Sequence, residues 1–198
     1  MIKGEKIYLT ELDWANSEII RGWLNDPEVN RYLFVGHTPI TQEEERQYFE
    51  AQATSPDRRT FEIHAAEDGR YLGNVGLKGI HPVHRHAELG LAIGRKEDWG
   101  KGFGADAIVT CLRYGFDTLG LHTIKIRAHE DHVRALELYR RLGFVDVGRE
   151  RETVFQHGRF ADYVVLDMLD TEFRERYGAG GQRCRGAAPR GDRLEREP

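Results

Sequence analysis

The stretch "DWGKGFGADA", residues 98 to 107, sets three glycines on alternate positions between an apolar strand pattern and a helical one. No other segment restricts the fold as much. Glycine weakens regular structure, so such a cluster marks backbone at positive φ or backbone that must approach another group closely. At a strand-to-helix junction the loop amides and the unbonded N–H groups of the first helical turn converge on one point, which suits phosphate. Gly100, Gly102 and Gly104 let those amides reach the oxygens, Lys101 adds a charge at the rim, and pyrophosphate is the natural guest. A bare turn is the bland alternative. A third reading is the dinucleotide fingerprint G-x-G-x-x-A on Gly100, Gly102 and Ala105. It calls for parallel βα repeats and an acidic residue about 20 positions on, where this chain has Gly120 and Leu121.

Periodicity places the loop in a wider pattern. "KIYLTELD" reads as a strand, and "SEIIRGWLNDPEVNRYL" as two short helices broken at Asp26-Pro27. "TQEEERQYFEAQA" begins with a capping box, Thr41 and Glu44, and has Tyr48, Phe49 and Ala53 as its apolar side. From Thr60 the period changes to two: "TFEIHAA", "YLGNVGLKGI" and "AELGLAIG" predict an antiparallel meander. Ala105, Ile108, Val109, Leu112, Phe116 and Leu119 then form one face of a helix. After the strand "TIKIRAH", a helix follows with Asp131 as N-cap, Ala135, Leu138 and Leu142 as its stripe and Gly143 as its stop. Strands around "VGRERETVFQ" and "YVVLDML" close the domain. The class is α+β: a mixed, mostly antiparallel sheet with a central β-α-β crossover and helices on both faces.

At 198 residues one domain is expected, covering 1–177. The segment 178–198 loses apolar periodicity, fills with Gly, Arg and Pro, and reads as a disordered tail. A net charge of -4 argues against DNA as a partner. Cys111 and Cys184 suggest neither a disulfide framework nor a zinc site. The charged start "MIKGEKIYLTELD" lacks the apolar run of a signal peptide, and no segment is long enough to span a bilayer, so a cytoplasmic location is expected.

"AELGLAIGRKEDWGKGFGADAI" followed by "IKIRAHEDHVRALELYRRLGF" resembles the GNAT superfamily of acyl-coenzyme A dependent N-acyltransferases. The resemblance runs from about Ile2 to Leu169, and "WLNDPEVNRYL" and "TQEEERQYFE" look like the ribosomal-protein N-terminal acetyltransferase branch. It implies a GNAT fold, acetyl-coenzyme A as co-substrate and a primary amine as acceptor; the oligomeric state is left open, with a homodimer among the possibilities. The pyrophosphate would rest on Trp99, Gly100, Lys101, Gly102, Phe103, Gly104 and Ala105, with the pantetheine arm between "ELGLAIG" and "TIKIRAH". Two positions depart from the family pattern: Trp99 stands where Gln or Arg is usual, leaving phosphate charge to the amides, Lys101 or Arg95, and His132 replaces an Asn that contacts the pantetheine arm.

The family's tyrosine matches Tyr139, whose phenol, near pKa 10, can protonate a leaving thiolate whose conjugate acid lies near 8.5. Its spacing also suits a core aromatic. Glu88, which begins the strand bordering the thioester, matches a glutamate that often serves the family as base or amine anchor. A backbone N–H of Leu91, Ala92 or Ile93, in the family's bulge region, would stabilise the tetrahedral oxyanion. "IHPVHRHAELG" resembles the loop bordering the substrate mouth in spermidine and diamine acetyltransferases. His81, His84 and His86 lack the companion ligands of a metal site, so no metal is expected. Glu43, Glu44 and Glu45 could gather a polycation, or form a solvated helix face. Acceptor readings are thus a protein N-terminal α-amine or a polyamine-like small amine. A non-catalytic acyl-coenzyme A sensor is the rival from another class.

Overall fold

Hydrogen bonding in the computed structural model, which describes residues 1–33, 38–156 and 158–178, follows these periods closely. The strands are β1 (Ile2–Lys3), β2 (Ile7–Glu11), β3 (Arg59–Ala65), β4 (Tyr71–His81), β5 (His86–Ile93), β6 (Thr123–His129), β7 (Val145–Gln156) and β8 (Arg159–Leu169). The helices are α1 (Ser17–Leu24), α2 (Gln42–Thr54), α3 (Phe103–Arg113), α4 (Val133–Leu142) and α5 (Asp170–Tyr177). All eight strands join one sheet in the order β1-β2-β3-β4-β5-β6-β8-β7. Only β5 and β6 pair in parallel, because α3 carries the chain across between them. Both further neighbours, β4 and β8, are antiparallel, so the parallel repeats of a dinucleotide fold are missing among the described residues.

One face of the sheet packs on α3 and α4. Leu9, Ile63, Leu77, Leu89 and Ile126 from the strands meet Ile108, Cys111 and Leu112 from α3, and Ala135 and Leu136 from α4, all in one buried cluster. At about 1.5–3 kcal/mol for each fully buried aliphatic side chain, this face stabilises the fold most. The alternation of β4 and β5 turns Asn74, Gly76, Gly90 and Ala92 the other way, toward α1 and α2. Helices therefore lie on both faces, as the pattern predicted.

Several boundaries differ for local reasons. The expected first strand is preceded by the two-residue β1, and after Asp26-Pro27 the chain makes one 3-10 turn, Asn30–Tyr32, where a second helix was expected. The α3 stripe ends as α-helix at Arg113 and widens into a π turn, Tyr114–Thr118. Asp131 does not cap α4. His132 occupies that position with no side-chain cap bond, and Asp131 is engaged by Arg159. The capping box on α2 forms as read, with Thr41 N–H donating to Glu44. No apolar period marks α5 in the sequence, because "DTEFRERY" buries only Phe173. Of the expected tail, residues 179–198 fall outside the described residues, as does the side chain of Ala53.

Candidate active site

Register between β5 and β6 runs from His86↔Thr123 to Leu89↔Ile126 and stops, although β5 continues to Ile93 and β6 to His129. The two strands splay, and a slot opens in the middle of the sheet. Gly94 N–H donates to Leu72 O at 2.9 Å. With period two, Gly90 and Ala92 thus face β4 with their amides, whereas Leu91 and Ile93 present theirs to the slot. The bulge expected at Leu91 to Ile93 does not occur: pairing with β4 is unbroken from Gly73↔Ile93 to Lys78↔Glu88, and the irregularity falls between Lys78 and His81. Splaying of the strands, without any bulge, exposes these amides.

The glycine loop is fastened to the open end of β5. Trp99 Nε1 donates to Ile93 O at 2.8 Å, and a Cβ on Gly104 would sit 3.3 Å from Leu91 Cδ2. Gly100 and Gly102 take φ of +83° and +92°, which an L side chain adopts only with strain. The first helical bond is from Asp106 N–H to Gly102 O, at 3.1 Å. No described residue accepts from the amides of Gly100 to Ala105. These N–H groups at a helix start, together with the positive end of the α3 dipole, form a cradle of the kind that attracts anions. Phe103 differs from its loop neighbours, since its side chain is buried in the core and only its amide belongs to the cradle.

Four cations stand near the loop, two of them suggested by the sequence. Arg95 and Lys101 are both bound to Asp98, at 3.1 and 2.9 Å. Beside them Arg134 Nη2 lies 2.9 Å from the Cβ position of Gly100, and Lys6 Nζ, which donates to Lys101 O at 3.0 Å, lies 3.3 Å from that of Gly102. One signal for Arg134 was available: a cation in the first turn of α4 opposes that helix's dipole, an arrangement an anionic ligand would reverse. Lys6, in a loop, carried no signal.

Asp98 is the loop's anchor. Its buried carboxylate receives Arg70 at 3.0 and 3.2 Å besides Arg95 and Lys101, and Arg70, then Lys101, hold the carboxyl well below the usual range against the opposing effect of burial. A depressed folded value contributes stability present above the unfolded pKa near 3.9 and lost as pH falls through the folded one. Asp98→Asn is expected to cost on the order of 3 kcal/mol at pH 7 and to flatten the stability curve below about pH 4. Urea unfolding across pH checks both.

Tyr139 projects from α4 into the core beside Phe144 and is 8 % exposed. Burial pushes its phenol up to about 12, and no described residue hydrogen-bonds its hydroxyl. His132 stacks on Tyr32 with centroids 4.2 Å apart. Burial, and then the charge of Arg134, bring its imidazole down to about 4, so it is neutral at physiological pH. Glu88 is set apart from this group, on the paired part of β5. Its Oε1 receives Arg127 at 3.1 Å and Lys78 at 3.0 Å, and Arg127 continues to Glu150 at 2.6 Å. The His81, His84 and His86 rings stack on one another, with centroids 4.4 Å apart for the first pair. Among the described residues no group of three His, Cys, Asp or Glu is placed to hold a metal ion.

A groove of about 560 Å³ runs from Gly90, Leu91 and Ala92 under α1 and α2, past Trp23, Tyr48 and Glu45. The slot and the groove thus share the open end of β5. The arrangement suits transfer between two bound molecules.

Comparison with known proteins agrees with this geometry. The profile of the acetyltransferase (GNAT) domain matches residues 6–145. Spermidine N(1)-acetyltransferase of Vibrio cholerae is 29% identical over 173 residues, covering 87% of this chain and 98% of its own. An uncharacterized N-acetyltransferase, p20, of Bacillus licheniformis is 25% identical over 173 residues, covering 85% and 96%. The crystal structure of the Vibrio cholerae spermidine N-acetyltransferase with CoA and spermine superposes with a TM-score of 0.78 at 27% identity, covering 85% of this chain and 98% of that one. An orphan-amide cradle, a splayed parallel pair and a profile match over most of the described chain lead to one statement: the protein belongs to the GNAT acetyltransferase family and is an acetyl-coenzyme A dependent N-acetyltransferase.

Proposed function

We propose that the chain passes an acetyl group directly from acetyl-coenzyme A to the primary amine of a small acceptor, both being bound at once. The observation that carries this is the slot beyond Leu89, flanked by the amide cradle on one side and the groove on the other. Arg134, Lys6 and the amides of Gly100 to Ala105 would hold the pyrophosphate. The N–H of Leu91 would donate to the oxyanion that forms as the amine attacks the thioester carbonyl. As the adduct collapses and the C–S bond breaks, Tyr139 O–H would protonate the departing sulfur, and the proton shed by the acylated nitrogen would return to the phenolate through water, so that amide and free thiol leave with the phenol restored. A phenol near 12 is poorly matched to a thiol near 8.5, yet the same desolvation raises both groups, and their difference is preserved in a shared dry cleft. Glu88, tied to two cations, serves here to hold Arg127 and Lys78 and is not the base.

Small amines are favoured by the relatives named as spermidine acetyltransferases. A second reading, a protein N-terminal α-amine, is supported by 26% identity over 151 residues to the putative ribosomal N-acetyltransferase YdaF of Bacillus subtilis. The reading includes a cytoplasmic setting and a homodimer, the latter supported by exposed Val145 and Val147 on the edge strand β7. Thiol release from acetyl-coenzyme A across spermidine, simple diamines, aminoglycosides and short peptides tests the proposal. Cys111 is buried, with its thiol pushed up to about 12 by that burial, and stays out of the signal. Release with amines but not peptides supports a small acceptor; release with peptides alone supports the second reading. Tight coenzyme A binding without release on any amine favours the sensor.

A further inference from the structure

Three successive glutamates on α2 have three different fates. Glu43 pairs with Arg46 at 2.6 Å on the solvent side, and Glu44 completes the capping box. Glu45 turns inward, is 2 % exposed, and its Oε1 has no hydrogen-bond partner among the described residues. It lines the groove that reaches Gly90 to Ala92, together with Ile20, Trp23, Leu24 and Tyr48 and with the cations Arg58 and Lys78. A buried carboxyl oxygen with no partner among the described residues is costly until a donor comes to meet it. Burial dominates over the charge of Arg21, from α1, and moves the Glu45 carboxyl upward. The fold therefore keeps a buried carboxyl, one of its oxygens without a partner among the described residues, inside the cavity that leads to the site of transfer.

We infer that Glu45 is the binding site for the acceptor's positive charge, so that the groove selects slender aliphatic ammonium ions over neutral or anionic molecules of the same shape. Aliphatic and aromatic walls take the alkyl chain, and the carboxylate takes the ammonium, a combination that fixes both charge and position. Paired to a charged donor, a carboxylate recovers a stronger hydrogen bond than any neutral partner offers. The inference rests on the proposed amine acceptor but can fail separately from it.

The test uses the full chain loaded with coenzyme A and measures binding of n-butylammonium and of its neutral counterpart n-butanol by calorimetry. Wild-type protein is expected to prefer the ammonium by 10- to 100-fold, and Glu45→Gln to abolish that preference while coenzyme A affinity stays within twofold. Glu45→Asp, which keeps the charge but withdraws it by one methylene, is expected to retain part of the preference. Because charge preference is a ratio, a general loosening of the fold would lower both affinities and leave it in place. An unchanged preference in Glu45→Gln overturns the inference, as does a wild-type protein with no preference. If amines are acetylated and Glu45→Gln leaves their KM unaltered, the inference falls and the acetyltransfer reading stands. If no amine is acetylated but the ammonium preference depends on Glu45, the site stands and the acceptor reading falls.

Discussion

Tyr139→Phe is expected to lower kcat by 10²- to 10³-fold and to leave coenzyme A affinity unaltered. A positioned general acid supplies about 10²–10⁴ in rate, and the phenylalanine keeps every carbon of the ring in place. The hydroxyl bonds to no described residue, so its loss breaks nothing in the ligand-free fold, and the melting temperature is expected to move by less than about 2 °C. Stopped-time thiol release beside calorimetric binding separates the two effects. A fall in affinity matching the fall in rate would make Tyr139 a wall of the donor slot and nothing more. Full activity would assign the proton to water. Because burial holds the phenol near 12, the wild-type enzyme keeps its donor protonated through pH 9, and any loss of activity on that side must come from another group.

Gly102→Val is expected to raise the dissociation constant for coenzyme A by more than 100-fold, with a smaller penalty in stability. A Cβ at this position would reach 3.3 Å from Lys6 Nζ and stand over the cradle at the start of α3. The φ of +92° adds strain of about 1–3 kcal/mol for a β-branched residue, which in a chain of this size lowers the melting temperature by roughly 2–12 °C. Circular dichroism at 20 °C is expected to show an intact fold. A variant that remains folded and binds coenzyme A as before would remove the pyrophosphate from the glycine loop.

The fold is most legible in the sequence where a physical period or a backbone exception is involved. The alternate glycines, the α3 stripe and the switch to period two from Thr60 each follow from local chemistry, and the sheet order is close to what those elements require. Side-chain partnership was much less visible. Lys101 and Arg95 look available along the chain and are both held by Asp98; Glu88 looks like a base and is bound by Arg127 and Lys78. These pairs join residues on neighbouring strands or across one turn, and nothing in their spacing distinguishes a tied charge from an untied one. Glu45 was nearer to being legible. Counting back three and four positions from Tyr48 and Phe49 puts it on the apolar side of α2, a placement that the run of three glutamates conceals.

The short register between β5 and β6 has a mechanical meaning for the molecule as a whole. Four residue pairs, His86↔Thr123 to Leu89↔Ile126, are all the ladder that joins the five strands on one side to the three on the other. Past Leu89 the sheet has two free borders facing each other in its interior, where no neighbouring chain can pair with them. A donor arm whose amide groups bond to Leu91 and Ile93 would act as an added strand, stitching the halves together along the length that the polypeptide leaves unsewn. Occupancy of the slot and rigidity of the sheet then become one property, and the enzyme is stiffest while it holds the molecule it is about to cleave.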